Sequence, residues 1–425
     1  MKHLTTCLFV FLFATSALAQ NRAIIVTTDY VTGSLSSLDL STNTATKNIL
    51  TIHSDAAVRT YQNKVYIINR LGQDNIIALD SNNLKTPLKQ YSVGNGSNPH
   101  DIVFVSEKKA YVSRNNLNRL LIVNPITGDS LGTVDLFTFA DADGLPEASQ
   151  MAIYNNRLFV VCQRLDQKGS FGPTDFSVIA VVDVATNQLV DVNTTTAGIQ
   201  GIVMAGKNPT GAALQGNKWI LSTVNTFGSL TDGGIEVINL DSLKTEGIVI
   251  NETTIGGNLN ALAMKSSSEG YIVLSDANFA NVVKPFNLTT KTIASALSNI
   301  SGGYIPALSV FGNRLYILDQ GSFTDPASGG VKAFDITTNQ LVAGPINVGL
   351  PPSGIAFLGS AVSLSSDFDN SGRVDFPDFL VFAAAFGKST GQSGFDVKFD
   401  LDNSGSVDFP DFLKFVTEFG KTNNG

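Results

Sequence analysis

Lys64-Val-Tyr-Ile-Ile-Asn69 and, one turn later, Ile76-Ile-Ala-Leu-Asp80 decide the fold, because the same pair of short apolar runs returns along most of the chain. The first run recurs as Ala23-Ile-Ile-Val-Thr-Thr28, Lys109-Ala-Tyr-Val-Ser113, Arg157-Leu-Phe-Val-Val161, Lys218-Trp-Ile-Leu-Ser222, Tyr271-Ile-Val-Leu-Ser275 and Arg314-Leu-Tyr-Ile-Leu318. The second ends near an acid or amide: Ser36-Ser-Leu-Asp39, Leu120-Leu-Ile-Val-Asn124, Val178-Ile-Ala-Val-Val-Asp183, Ile235-Glu-Val-Ile-Asn239, Val282-Val-Lys-Pro-Phe-Asn287 and Val331-Lys-Ala-Phe-Asp335. Turn formers such as Ser41-Thr-Asn43, Thr186-Asn187 and Thr337-Thr-Asn339 follow them. Short β-branched runs punctuated in this way are strands, and no period-3.6 apolar stripe speaks for a helical array. Seven units averaging about 48 residues, from Ala23 to Gly359, have the period of four-stranded propeller blades. Pro285, inside the sixth copy, predicts a bulge or a sheet edge.

Composition agrees. Charged residues are 15% of the chain and glycines number 38, which suits an all-β protein with many turns. The net charge of -8 argues against nucleic acid and anionic membranes as partners. Lys2 and His3, an apolar run from Leu8 to Ala14 and Ala17-Leu18-Ala19 predict a signal peptide over 1–19, cleaved near Ala19. No later stretch is long and apolar enough to span a bilayer. The expected organisation is a propeller over 20–360 and a small module over 361–425, on a secreted or cell-surface protein. Cys162 is then the only cysteine left, so no internal disulfide can form, and its apolar run predicts a buried, inert thiol.

Tyr111-Val-Ser113, Val181-Val-Asp183 and Val348-Gly349 through Pro352-Ser-Gly-Ile-Ala356 resemble the YVTN-type propeller family, over about four-fifths of the chain. In such folds Ser353 to Phe357 would be the innermost strand of the blade begun by Ala23 to Thr28, closing the ring and removing exposed sheet edges.

The tail carries different chemistry. From Ala361 onward it holds nine Asp and Glu418 against five Lys and Arg. Asp367-Phe-Asp-Asn-Ser-Gly-Arg-Val-Asp-Phe-Pro-Asp378 returns after 33 residues (367 to 400) as Asp400-Leu-Asp-Asn-Ser-Gly-Ser-Val-Asp-Phe-Pro-Asp411. Calcium takes six to eight hard oxygens, supplied by a twelve-residue loop at positions 1, 3, 5, 7, 9 and 12. The ligands here are Asp367, Asp369, Ser371, the Arg373 carbonyl, Asp375 and Asp378, and then Asp400, Asp402, Ser404, the Ser406 carbonyl, Asp408 and Asp411: two Ca2+ ions in all. Gly372 and Gly405 fall where the chain must turn with positive φ. Val374 and Val407 suit a short strand pair joining the loops. Asp at position 12 reaches less far than Glu, and Ser at position 5 is neutral, which sets affinity on the order of 10⁻⁵ to 10⁻³ M. One helix should follow each loop, capped by Asp375 or Asp408 and stopped by Gly387 or Gly420, with apolar stripes Phe376, Phe379, Leu380, Ala383, Phe386 and Phe409, Phe412, Leu413, Val416, Phe419. No helix is expected before either loop.

A calcium loop plus one following helix, doubled, resembles a dockerin module over about 55 residues. The resemblance implies two bound calcium ions and docking onto a cohesin, often in polysaccharide-degrading assemblies. Loop positions 10 and 11, typically small hydroxyl residues, are Phe376-Pro377 and Phe409-Pro410 here.

In the propeller, Asp55, His100, Asp101, Glu147, Gln150, Thr210 and Asn260 lie where innermost strands begin. They are either a ring that holds a ligand or ordinary turn formers, and the second is favoured. Arg70, Arg114, Arg119 and Arg164 meet an anionic ligand or pair with Asp74, Asp141, Asp143 and Asp166, again with the second favoured. Asp141-Ala-Asp143-Gly144 matches calcium-loop spacing only at its start. His53 and His100 form no zinc motif, and no nucleophile elbow or P-loop is present. The leading expectation is a secreted, non-catalytic binding or display protein, with a glycan or protein ligand on the propeller and a cohesin-like or cell-surface partner on the tail. The alternatives are a hydrolase, lyase or lactonase of a polysaccharide-degrading assembly, with His100 and Glu147 as its candidates, and a surface-layer protein.

Overall fold

The computed structural model describes residues 21–170, 172–358, 365–368, 374–402 and 404–420. The expected signal segment and Asp369, Ser371, Gly372 and Arg373 lie outside them. Seven four-stranded antiparallel sheets make a β-propeller. Blade two is representative: Ala56–Tyr61 is innermost, then Lys64–Asn69, Asn75–Asp80 and, outermost, Asn83–Ser92. The paired runs read from the sequence are the two middle strands of every blade.

The middle strands announce themselves because each is covered on both faces. Side chains alternate along a strand, so Ala23 and Ile25 join the core shared with blade seven, while Ile24 and Val26 join the core shared with blade two. One apolar cluster lies between each pair of neighbouring blades, seven in all around the ring. Each fully buried Ile or Leu contributes about 2 kcal/mol. The outer strands, such as Asn83–Ser92, are largely solvated and carry no comparable signature.

Pro352–Leu358 pairs antiparallel with Arg22–Thr28 and is the innermost strand of blade one. The chain's last propeller strand thus closes the ring beside its first. In blade six Pro285 pairs in register with Tyr271 and causes no bulge toward that neighbour. On the outer side the outermost strand is only Thr292–Ile293, as short as Ile202–Val203 in blade four, and the Ala294 N–H donates to the Pro285 carbonyl.

Among the described residues three α-helices lie outside the sheets: α1 (Glu252–Ile255), α2 (Phe376–Ala385) and α3 (Phe409–Glu418). Before the second acidic loop there is only a single 3-10 turn, Val397–Phe399. Among the described residues no helix is long and apolar enough to cross a membrane.

Candidate metal centre

In the second tail loop, oxygens of Asp400, Asp402 and Asp411 all lie within 4.8 Å of one another. The backbone holds them there. Asp400 accepts from the Ser404 and Gly405 N–H groups at 3.0 and 2.8 Å, and Gly405 reaches that position with φ +86°. Asp402 accepts from the Ser404 N–H at 2.9 Å, and the Ser404 hydroxyl donates to the Ser406 carbonyl at 3.2 Å. Asp411 is fully buried and accepts from the N–H groups of Asp402 at 3.0 Å and Asp408 at 2.8 Å. The latter bond is the reaching-back half of a capping box at the start of α3.

Asp408 stands on the same loop, at the N-cap of α3. Its Oδ1 is buried and accepts no hydrogen bond. Its pKa is raised above the ordinary carboxylate value by desolvation and by the charges of Asp411, Asp402 and Asp400. Three carboxylates within 4.8 Å of one another, beside a fourth acid with an unanswered oxygen, could serve as a donor set for a hard divalent cation. Ser404 and the Ser406 carbonyl stand on the same loop and offer further oxygens.

The described part of the first loop repeats this frame. Asp378, fully buried, accepts from the Phe368 N–H at 2.7 Å and from the Asp375 N–H at 2.9 Å. Asp367 precedes it, as Asp400 precedes Asp411. Val374 and Val407 do not pair with each other as expected. Each loop is instead bonded to the far end of the other repeat's helix: Gly420 donates to the Val374 carbonyl at 2.7 Å, and Gly387 to the Val407 carbonyl at 2.8 Å.

The helix faces also differ from the expected stripes. Phe382 and Ala385 of α2 and Phe415 of α3 are buried, with Phe382 and Phe415 stacked at 5.4 Å, while Phe379 and Phe412 are half-buried. Phe376, Leu380, Ala383 and Phe386, like Phe409, Leu413, Val416 and Phe419, face solvent. The position-12 carboxylate sets this rotation. Asp378 and Asp411 must turn toward their loops, so the residue four further on, Phe382 or Phe415, goes into the core beneath it.

At the propeller mouth the candidate residues mostly bind neighbouring blades. Asp101, 3% exposed, accepts from Arg59 Nε of blade two at 2.8 Å and from the Met151 N–H of blade four at 3.1 Å. The Gln150 amide donates to the Thr210 carbonyl at 3.4 Å, and the Thr210 hydroxyl to the Asn260 carbonyl at 2.8 Å. The Asn260 amide donates to Ser275 Oγ at 3.3 Å. Asp55 is paired with Arg70, whose Nε donates to it at 2.9 Å. His53 Nδ1 accepts from the Asp55 N–H at 3.2 Å. His100 is held neutral, its pKa pushed down to about 3 by burial and by the Arg70 charge.

Three of the four arginines pair with carboxylates, but not with those expected. Arg70 takes Asp55, Arg119 takes Asp135 and Arg164 takes Asp175, while Arg114 donates to the Arg119 and Val93 carbonyls. Asp74 accepts instead from the Gly96 and Asn98 N–H groups. Cys162 is fully buried, and its thiol pKa is pushed up to about 12 by burial. Glu147 is the exception at the mouth. It is fully buried, and desolvation, with the Asp143 and Asp141 charges, pushes its carboxyl up to about 8.

The acid or amide ending each third strand has one job throughout. Asp39, Asp80, Asn124, Asp183, Asn239, Asn287 and Asp335 each accept, through the side chain, from backbone N–H groups two or three residues on. These are the turns the sequence indicated.

No protein-family model matches the chain, and no curated protein does. Solved structures similar to it include apo AztD from Citrobacter koseri, 13% identical, covering 80% of this chain and 98% of that one, TM-score 0.47. BamB from Moraxella catarrhalis is 16% identical, covering 71% of this chain and 79% of its own, TM-score 0.42. The dihydro-heme d1 dehydrogenase NirN in complex with DHE is 15% identical, covering 79% and 75%, TM-score 0.49.

Proposed function

We propose that this chain is an exported, non-catalytic binding protein, with a YVTN-type propeller as its recognition body and a dockerin-like tail that folds around two calcium ions and docks a cohesin-like protein. The observation that carries the proposal is the convergence of Asp400, Asp402 and Asp411, beside Asp408 with its Oδ1 unanswered. Asp367, Asp369, Ser371, the Arg373 carbonyl, Asp375 and Asp378 would hold the first ion. Asp400, Asp402, Ser404, the Ser406 carbonyl, Asp408 and Asp411 would hold the second. Calcium neutralises the mutual repulsion of these acids, so that metal binding and ordering of the loops are coupled. Oxygen donors without His or Cys favour calcium over zinc.

The docking surface follows from the helix rotation. With Phe382 and Phe415 inside, Phe376 and Leu380 on α2 and Phe409 and Leu413 on α3 present repeat-related apolar faces 51 to 60% exposed. Exposed apolar residues in such sets mark protein contacts.

The test uses the full-length protein. In chelator the amide resonance of Gly405, which donates to Asp400, should broaden or shift, and protease should cut between the loops. Millimolar calcium should reverse both, and Asp400→Asn with Asp402→Asn should block the reversal for the second loop. An ordered tail in chelator that ignores added calcium would overturn the proposal.

A further inference from the structure

The links that lead into the inner strands, and those that join the second strand of a blade to its third, share one rim of the propeller, because antiparallel strands return alternate links to the same side. On three consecutive blades that rim carries exposed aromatic rings. Phe279 stands on blade six, Tyr304 on the link from blade six to blade seven, Phe323 on blade seven and Tyr30 on blade one, each at least 50% exposed. On the loops of the opposite rim, Ile199 is the one large apolar side chain exposed among the described residues. Hydrogen bonds hold the aromatic loops side by side. The Asn281 N–H donates to the Gly302 carbonyl at 3.2 Å and the Ile305 N–H to Asn281 Oδ1 at 3.1 Å, on either side of Tyr304. The Gln320 N–H donates to the Tyr304 carbonyl at 3.0 Å, and the Tyr30 hydroxyl to Gln320 Oε1 at 2.7 Å. The four rings therefore belong to one surface that crosses blades six, seven and one.

Two of the rings sit on strained backbone. Tyr30 and Phe279 have φ of +68° and +62°, the left-handed region that a bulky side chain rarely adopts. The place of Tyr30, second after the second strand of its blade, is taken by Gly321 in blade seven and by Asn225 in blade five, both left-handed and both residue types that tolerate it. Blade one puts a tyrosine there and leaves it in water. That is strain which no burial offsets, and strain of this kind gathers at functional surfaces.

Charge identifies the occupant. Asp29, Asp276 and Asp325 lie on the same loops, and none of them forms an ion pair among the described residues. Residues 29–32, 276–280, 294–306 and 320–329 contain no Lys or Arg. Arg70, whose charge reaches Tyr304, is already paired with Asp55. The Gln320 amide between the rings is engaged at both ends, by the Tyr30 hydroxyl and by the Pro352 carbonyl at 3.1 Å, so it is not free for a sugar hydroxyl. Aromatic faces and unpaired carboxylates together attract cations. We propose that this surface docks a protein partner through a segment rich in Lys or Arg, with apolar side chains between the charges. The inference rests on the reading of the propeller as the recognition body and names the chemistry of what it recognises.

The probe is a fluorescein-labelled peptide of alternating Lys and Leu, with its Glu and Leu counterpart as control, followed by anisotropy against the full-length protein. The Lys peptide should bind and the Glu peptide should not. Phe279→Ala with Phe323→Ala should weaken binding about tenfold, as expected for two ring contacts to cations. Asp29→Asn with Asp325→Asn should weaken it too and flatten its dependence on salt. Tyr30→Asn suits left-handed backbone, so it should keep or raise the melting temperature while affinity falls, whereas replacing a tyrosine of purely structural role would lower the melting temperature. Equal binding by the wild type and the ring variants overturns the proposal. So does binding of a neutral glucan oligosaccharide in place of the peptide, abolished by the ring substitutions, although the recognition body then stands. Binding of neither probe overturns the inference and counts against the recognition body, leaving the tail to its own calcium titration.

Discussion

Asp39, Asp183 and Asp335 close the third strands of their blades by accepting turn N–H groups, and hydrogen bonding holds all three below the ordinary carboxylate pKa. For Asp39 the Ser41 hydroxyl is the largest cause, for Asp183 the Thr186 N–H, and for Asp335 the Thr338 N–H. A carboxylate whose folded pKa lies below its unfolded value, about 3.9, takes up its proton first in the unfolded chain. Its stabilising effect is complete above that value and disappears as pH falls through the folded pKa. The chain supplies its own control, since Asn124, Asn239 and Asn287 occupy the same turn as amides. Replacing the three aspartates by asparagine should therefore leave the urea midpoint at neutral pH unchanged and flatten the loss of stability in acid below about pH 4. Asp101 behaves differently because it is buried between blades. Asp101→Ala strands the Met151 N–H and part-exposed Arg59 and should cost about 1–3 kcal/mol in urea unfolding followed through Trp219.

At the scale of elements, α2 and α3 show how one buried carboxylate dictates packing. Both helices are apolar on more than one side, so spacing alone could not say which face enters the core. Asp378 and Asp411 settle the rotation, and Phe382 and Phe415 follow them inward. Phe382→Ala or Phe415→Ala should therefore cost the tail about 3–5 kcal/mol, read as loss of amide protection in calcium. Phe376→Ala with Phe409→Ala should change protection by no more than about 0.5 kcal/mol and instead weaken capture of the cohesin-like partner proposed above. Similar losses of protection from both pairs would show that the exposed face is part of the fold.

For the whole molecule, stability rests on closure. Seven apolar clusters each need two blades, and the one between blades seven and one exists because Pro352–Leu358 returns to Arg22–Thr28. Deleting 352–358 bares the edge of Arg22–Thr28 and uncovers part of the blade-one core. The shortened protein should elute from size exclusion as oligomers or aggregate, with Trp219 fluorescence less cooperative on unfolding. A monomer of undiminished cooperativity would mean that the blades do not depend on the closed ring.

The sequence by itself determined the architecture, since strands covered on both faces must be continuous apolar runs, and fourteen such runs (seven pairs) counted the blades. It also determined the spacing of the tail acids, because the order of side chains on a twelve-residue turn is a local matter. The outer strands, and the extent of most inner ones, stayed hidden, being half-solvated and mixed in composition, although the inner strand at Ser353 to Phe357 was expected. Only the tertiary structure decided which acids are satisfied. Glu147 and Asp101 look alike in a list of residues, yet one staples three blades and the other keeps an unanswered oxygen. Hydrogen-bond partners from distant strands make that difference, and no local pattern encodes them.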